Sequence, residues 1–87
     1  MKLIGRNRLK GLYGMDKQTD AWLYNWVSEL ANANWKVPQD VLQQYPKAMF
    51  TTGDKFLFKI AEQPHWIEVA ITFKPPVVLV VGFRNVI

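Results

Sequence analysis

The chain has 87 residues, 49% of them hydrophobic and 14% aromatic, with four tryptophans, no cysteine, and eleven Lys and Arg against seven Asp and Glu for a net charge of +4. That length allows one domain, residues 1–87, which buries only about 60–65% of the surface its unfolded form exposes, so stability has to come from dense aromatic packing. The absence of cysteine excludes disulfides and thiolate metal sites, as suits a reducing cytosol, and the basic excess favours an anionic partner, nucleic acid or an acidic protein.

The first residues, MKLIGRNRLKGLYG, hold no apolar run long enough for a signal-peptide core, and the valine-rich stretch near the end is too short to span a membrane. The expected location is therefore cytoplasmic. Lys2 to Ile4 reads as a short edge strand, and Arg6 to Tyr13 has weak helical spacing. Asp16 to Asp20 is polar punctuation, from which Thr19 or Asp20 is expected to cap a helix. That helix carries Trp22, Leu23, Trp26, Val27 and Leu30 at spacings of three and four, one apolar face, which places its tryptophans in the core. Asn32, Asn34 and Trp35 end it. Pro38 suits the first turn of a shorter helix through Val41, Leu42 and Tyr45, which Pro46 stops.

After Ala48 the period changes from about four to two. Phe56, Phe58 and Ile60 alternate with Lys55, Leu57 and Lys59; Ile67, Val69, Ile71 and Phe73 alternate with Trp66, Glu68, Ala70 and Thr72. With Ala61 to Pro64 as the loop, Phe58 faces Ile67 and Phe56 faces Val69, while the opposite side sets Lys59 against Trp66, Leu57 against Glu68 and Lys55 against Ala70. A shift of one residue spoils this agreement. Pro75 and Pro76 end the second strand, and Val77 to Val81 is expected to be a third, central strand covered on both sides. The predicted fold is α+β, two to three helices packed on one face of a small, mainly antiparallel sheet with the other face open.

The open face is then the candidate site. It carries Lys55, Lys59, Trp66, Glu68 and Thr72: cations that neutralise phosphate, an aromatic that stacks a base for roughly 1–3 kcal/mol, and a carboxylate that can move a proton. The bland alternative is a solvated face with a Lys–Glu pair worth at most about 1 kcal/mol. His65 is the only histidine and Ser28 the only serine, which excludes two-histidine catalysis and makes a serine triad improbable. The carboxylates are not clustered for a metal, and the glycines match no phosphate-binding loop, so neither metal nor cofactor is expected.

The stretch from Trp35 to Ile60, WKVPQDVLQQYPKAMFTTGDKFLFKI, together with the N-terminal IGRNRLKGLY and the AW and W of the long helix, resembles the HigB toxins of type II toxin–antitoxin modules over residues 1 to 73. The resemblance implies a RelE-like fold and a metal-independent endoribonuclease, an mRNA interferase that cuts messenger RNA, usually on the ribosome, and is silenced by a HigA-type antitoxin. In such toxins the RNA's own 2′-hydroxyl attacks the adjacent phosphate while cations stabilise the charge that develops. Carried onto this chain, whose site departs from the family's, the candidate catalytic set is Lys55, Lys59, His65, Glu68 and Arg84, and Lys55, Lys59, Trp66, Arg6, Arg8 and Lys10 are the candidate RNA-binding residues; of these the resemblance itself supports Lys55 and is compatible with Lys59. Lys55 matches the family's basic residue at the start of its strand. Trp66 and Ala70 stand where the family has arginines, and its later Thr-His and acidic-Tyr-Asp tail has no counterpart in these residues.

Two readings therefore follow. In the first the chain is such a toxin, with Lys55, Lys59 and Arg84 on phosphate, His65 or Glu68 moving protons and Trp66 stacking a base. In the second it is a non-catalytic module of the same fold that binds RNA, ribosome or protein. An exposed apolar groove lined by Trp22 or Leu57, rather than a basic cleft, is the expectation of the second.

Overall fold

The computed structural model describes residues 1–61 and 63–85. Glu62, which the sequence places in the loop after the first long strand, lies outside the described residues. Five strands form one sheet: β1 (Lys2–Ile4), β2 (Met49–Phe50), β3 (Lys55–Lys59), β4 (His65–Phe73) and β5 (Pro76–Asn85), in the order β1-β5-β4-β3-β2. Only β1 runs parallel to its neighbour, beside β5; the other pairs are antiparallel. A 3-10 helix over Arg6–Leu12, α1 (Lys17–Ala31) and α2 (Pro38–Gln44) complete a small α+β domain.

Alternation sorts the sheet's side chains. Phe56, Phe58, Ile60, Ile67, Val69, Ile71, Val78 and Val80 are buried in one cluster with Leu9, Leu12, Leu23, Trp26, Leu30, Trp35 and Val41 from the helices and loops. Aromatic contacts link the layers: Trp22 stacks on Trp26 at 5.9 Å, Trp26 meets Phe58 edge-on at 5.6 Å, and Tyr45 meets Phe58 edge-on at 5.1 Å. Each such pair adds about 0.5–1.5 kcal/mol beyond the area it buries. That is how so short a chain holds a core.

The β3–β4 register is the one the alternation requires, with Phe58 opposite Ile67, Phe56 opposite Val69 and Lys59 opposite Trp66. Two expectations are corrected, and one strand is added. The long helix starts at Lys17 rather than at Thr19 or Asp20, because Asp16 is its N-cap: the Asp16 carboxylate accepts from the Thr19 backbone N–H at 2.7 Å and from the Thr19 hydroxyl at 3.1 Å. The Gln63 amide donates to both, at 2.8 Å to Asp16 and 3.1 Å to Thr19, which ties the helix start to the β3–β4 loop. These bonds, the Thr19 backbone N–H first, hold the Asp16 carboxyl below its usual range.

The second correction concerns the last strand. It is longer than Val77 to Val81, and although central it is not covered on both sides, since Leu79 remains 37% exposed. The helices cover one face, so every second residue of an apolar strand is left on the other. The added strand is β2, two residues beside Leu57 and Phe56, too short to show any period in the sequence.

The 3-10 helix lies against β5 through two devices. Gly5 enters it with φ of 89°, and a Cβ there would sit 3.0 Å from the Val80 carbonyl oxygen, so glycine alone suits this approach. The β4–β5 register shifts between Glu68 and Val69, which leaves Val81 without a partner on β4. Arg8 fills the resulting demand for a donor, its Nη1 donating to the Val80 carbonyl at 2.9 Å and to the Val81 carbonyl at 3.4 Å.

Candidate functional site

The face of the sheet away from the helices is organised in rows. Lys59 on β3, Trp66 on β4 and Arg84 on β5 are in register across three strands. The next row holds Met49, Leu57, Glu68 and Gly82. Beyond it lie Lys55, Ala70, Leu79 and Ile4. One end of the face thus carries two cations, an indole and a carboxylate, and the other end is mainly aliphatic.

At the charged end, Arg84 Nη1 lies 3.3 Å from Glu68 Oε2, with the two side chains 53% and 20% exposed. Exposure at that level limits the pair to at most about 1 kcal/mol, so a phosphate could draw the guanidinium away at small cost. Lys59 and Trp66 are half-buried, which fixes them better than free surface side chains. Lys55 stands four residues from Lys59 along the same strand, roughly 13 Å away at about 3.3 Å per residue, too far for both to hold one small anion.

The remaining residues named from the sequence separate from this row. His65 opens β4 on the opposite face and borders a hollow with Leu12, Met15 and Phe83. Strand alternation puts it there, because it shares parity with Ile67 rather than with Trp66. Arg8 is engaged by the β5 carbonyls, whereas Arg6 and Lys10 lie exposed on the 3-10 helix. Leu57 is only 3% exposed although it stands on the open face, so it lines no groove.

A second feature was only partly legible in the sequence. Where β2 ends, the β3 edge, the end of α2 and the Tyr45-Pro46-Lys47-Ala48 turn enclose a cleft of about 360 Å³ bordered by Trp22, Tyr45, Pro46, Lys47, Phe58 and Lys59. Trp22, Tyr45 and Phe58, part of the aromatic chain of the core, line it, and two lysines, Lys47 and Lys59, border it. Tyr45 donates its hydroxyl to the Glu29 carboxylate, and burial, aided by Glu29, pushes the phenol well above its ordinary range. Tyr45 is therefore a fixed protonated wall rather than a base. The Trp22 expectation is met in part: the groove exists, but with lysines at its edge.

Among the described residues no cluster of three His, Asp or Glu side chains is placed to hold a metal ion, and no helix is long and apolar enough to cross a membrane. The arrangement can bind a polyanion through Lys59, Arg84 and Lys55 and stack a planar group on Trp66. Neither protein-family models nor the curated proteins provide a match for this chain.

Proposed function

We propose that this chain is a HigB-like toxin domain of RelE-like fold, an endoribonuclease that cuts messenger RNA on the ribosome and is neutralised by a HigA-type antitoxin. The observation that carries the proposal is the row of Lys59, Trp66 and Arg84 across the helix-free face, with Glu68 beside it. Two cations flank an aromatic, which is the minimum for gripping a phosphate while holding the neighbouring base.

The chemistry follows from these groups. The 2′-hydroxyl of the RNA attacks the adjacent phosphorus, forming an oxygen–phosphorus bond, while the bond to the 5′-oxygen breaks. Glu68 takes the hydroxyl proton, and the leaving oxygen receives one from Lys59, because an ammonium can surrender a proton that a guanidinium holds. Arg84 stabilises the charge on the phosphorane. The products are a 2′,3′-cyclic phosphate and a 5′-hydroxyl. His65, on the other face, has no part in this scheme.

Inducing the chain in a bacterial host and mapping new messenger 5′ ends tests the proposal. Discrete cuts in coding regions that vanish in Lys59→Ala or Arg84→Ala support it; a folded protein that leaves messengers intact refutes it. The second reading, a non-catalytic module of the same fold that binds RNA, ribosome or protein, draws on Trp66 and Ala70 standing where related toxins have arginines and on the Trp22-bordered cleft. It predicts binding without new ends.

A further inference from the structure

We infer that the cleft between the Tyr45-Pro46-Lys47-Ala48 turn, α1 and the end of β3 is a nucleotide subsite, taking one unpaired nucleotide of a single-stranded RNA that runs on from the Lys59 row. The inference rests on the proposed RNA-binding role of that row and extends it to a site on the sheet's edge. Lys59 joins the two, since it belongs to the row with Trp66 and Arg84 and also borders the cleft.

Size, chemistry and continuity support this occupant. A cleft of about 360 Å³ is at the small end of ligand-binding sites, which run from about 300 to 1,000 Å³, so it suits one nucleotide and not a helix. Trp22 is half-buried, and its ring stacks on Trp26 at 5.9 Å with only 13° between planes. Tyr45 and Phe58 are locked edge-on at 5.1 Å. These rings are held by the core before any ligand arrives, which lowers the ordering cost of binding a base. Lys47 and Lys59 supply positive charge at the rim, and no carboxylate is among the bordering residues described. Gln44, which borders the cleft, accepts from Trp35 Nε1 at 3.0 Å through its Oε1, so its amide N–H2 is not used in that bond.

Binding and cutting can be separated with an RNA that cannot be cut. Fluorescence anisotropy of a fluorescein-labelled single-stranded heptanucleotide, 2′-O-methylated throughout, is read on the full chain and on Trp22→Leu, Lys47→Glu and Lys47→Arg. Loss of a stacked base raises Kd roughly five- to hundredfold, the range expected for Trp22→Leu. Lys47→Glu is expected to raise it about tenfold or more and to flatten its salt dependence, while Lys47→Arg stays near the native value. Lys47 is exposed, so its variants keep the native melting temperature even where Trp22→Leu loosens the core.

Native-like Kd in both Lys47→Glu and Trp22→Leu overturns the subsite. So does a glutamate-rich peptide whose binding is lost in Lys47→Glu while RNA affinity stays unchanged, which would assign the cleft to an acidic protein. If messengers are cut but these variants bind RNA normally, the toxin reading stands without the subsite. If the variants lose RNA affinity but the native chain cuts nothing, the subsite stands and the toxin reading falls.

Discussion

The two faces of the sheet are built from the same three long strands and answer to different physics. On the helix side, Phe56, Phe58, Ile67, Val69, Val78 and Val80 are buried, and each is held by neighbours from α1, the 3-10 helix or the other strands. On the open side the same strands present Lys59, Trp66, Glu68 and Arg84 at one end and Ala70 and Leu79 at the other, beside Ile4 of β1. The difference teaches that this fold's stability is concentrated on one face, so the other is free to change composition. Substitutions should therefore divide: those on the helix side change stability, and those in the Lys59 row change the proposed RNA cutting with folding intact.

The strongest way to break that division is Phe58→Ala. Phe58 contacts Trp26 and Tyr45 and is fully buried, so its removal is expected to cost about 3–5 kcal/mol, read by urea denaturation. A cost below about 1 kcal/mol would mean that the core lies elsewhere. On the open face, Lys59→Ala and Arg84→Ala are each expected to lower the cutting rate by about 10²–10³ while the melting curve stays in place. A shared loss of rate and stability would show that the faces are not independent.

Smaller changes sharpen the boundary between the faces. Gly5→Ala places a side chain at positive φ and against the Val80 carbonyl, and is expected to cost about 1–2 kcal/mol by loosening the 3-10 helix from β5. Glu68→Gln removes the charged partner of the half-exposed Arg84; stability should move by less than about 1 kcal/mol while cutting falls, and unchanged cutting would remove Glu68 from proton transfer. The smallest effect is pH-dependent. Because the folded Asp16 carboxyl titrates below its unfolded value, its capping contribution is present above the ordinary carboxylate range and is lost as pH falls through the depressed folded value. Asp16→Asn should therefore melt a little lower than the native chain at neutral pH, with the gap closing in acid.

Much of this was legible from the sequence, and the reasons are local. The β3–β4 register followed from Phe56, Phe58, Ile67 and Val69, because a period of two leaves one alignment in which both apolar faces coincide. The face of α1 followed from Trp22, Leu23, Trp26 and Leu30 for the same kind of reason. The helix start was misplaced because Asp16, Thr19 and Asp20 are all acceptable caps, and a contact from Gln63, far along the chain, accompanies the one that forms. In the candidate site, Lys59, Trp66 and Glu68 were placed correctly on one face, whereas His65 was assigned to the same catalytic set although the alternation that separates the faces puts it on the other. Arg8 counted as a free cation until the β5 bulge gave its guanidinium two carbonyls to satisfy.

By itself, the sequence determined the α+β class, the helix faces, the hairpin register and the basic character of the chain, since periodicity and charge are properties of neighbours along the backbone. Tertiary structure alone decided that Arg84 joins the Lys59 row, that Leu79 stays uncovered and that Tyr45, Lys47 and Phe58 meet in a cleft. Each of those depends on β5 crossing to lie between β1 and β4 or on the α2 turn closing over the edge of β3. Contacts between segments so distant along the chain are set by how the whole core packs, and no local pattern encodes them.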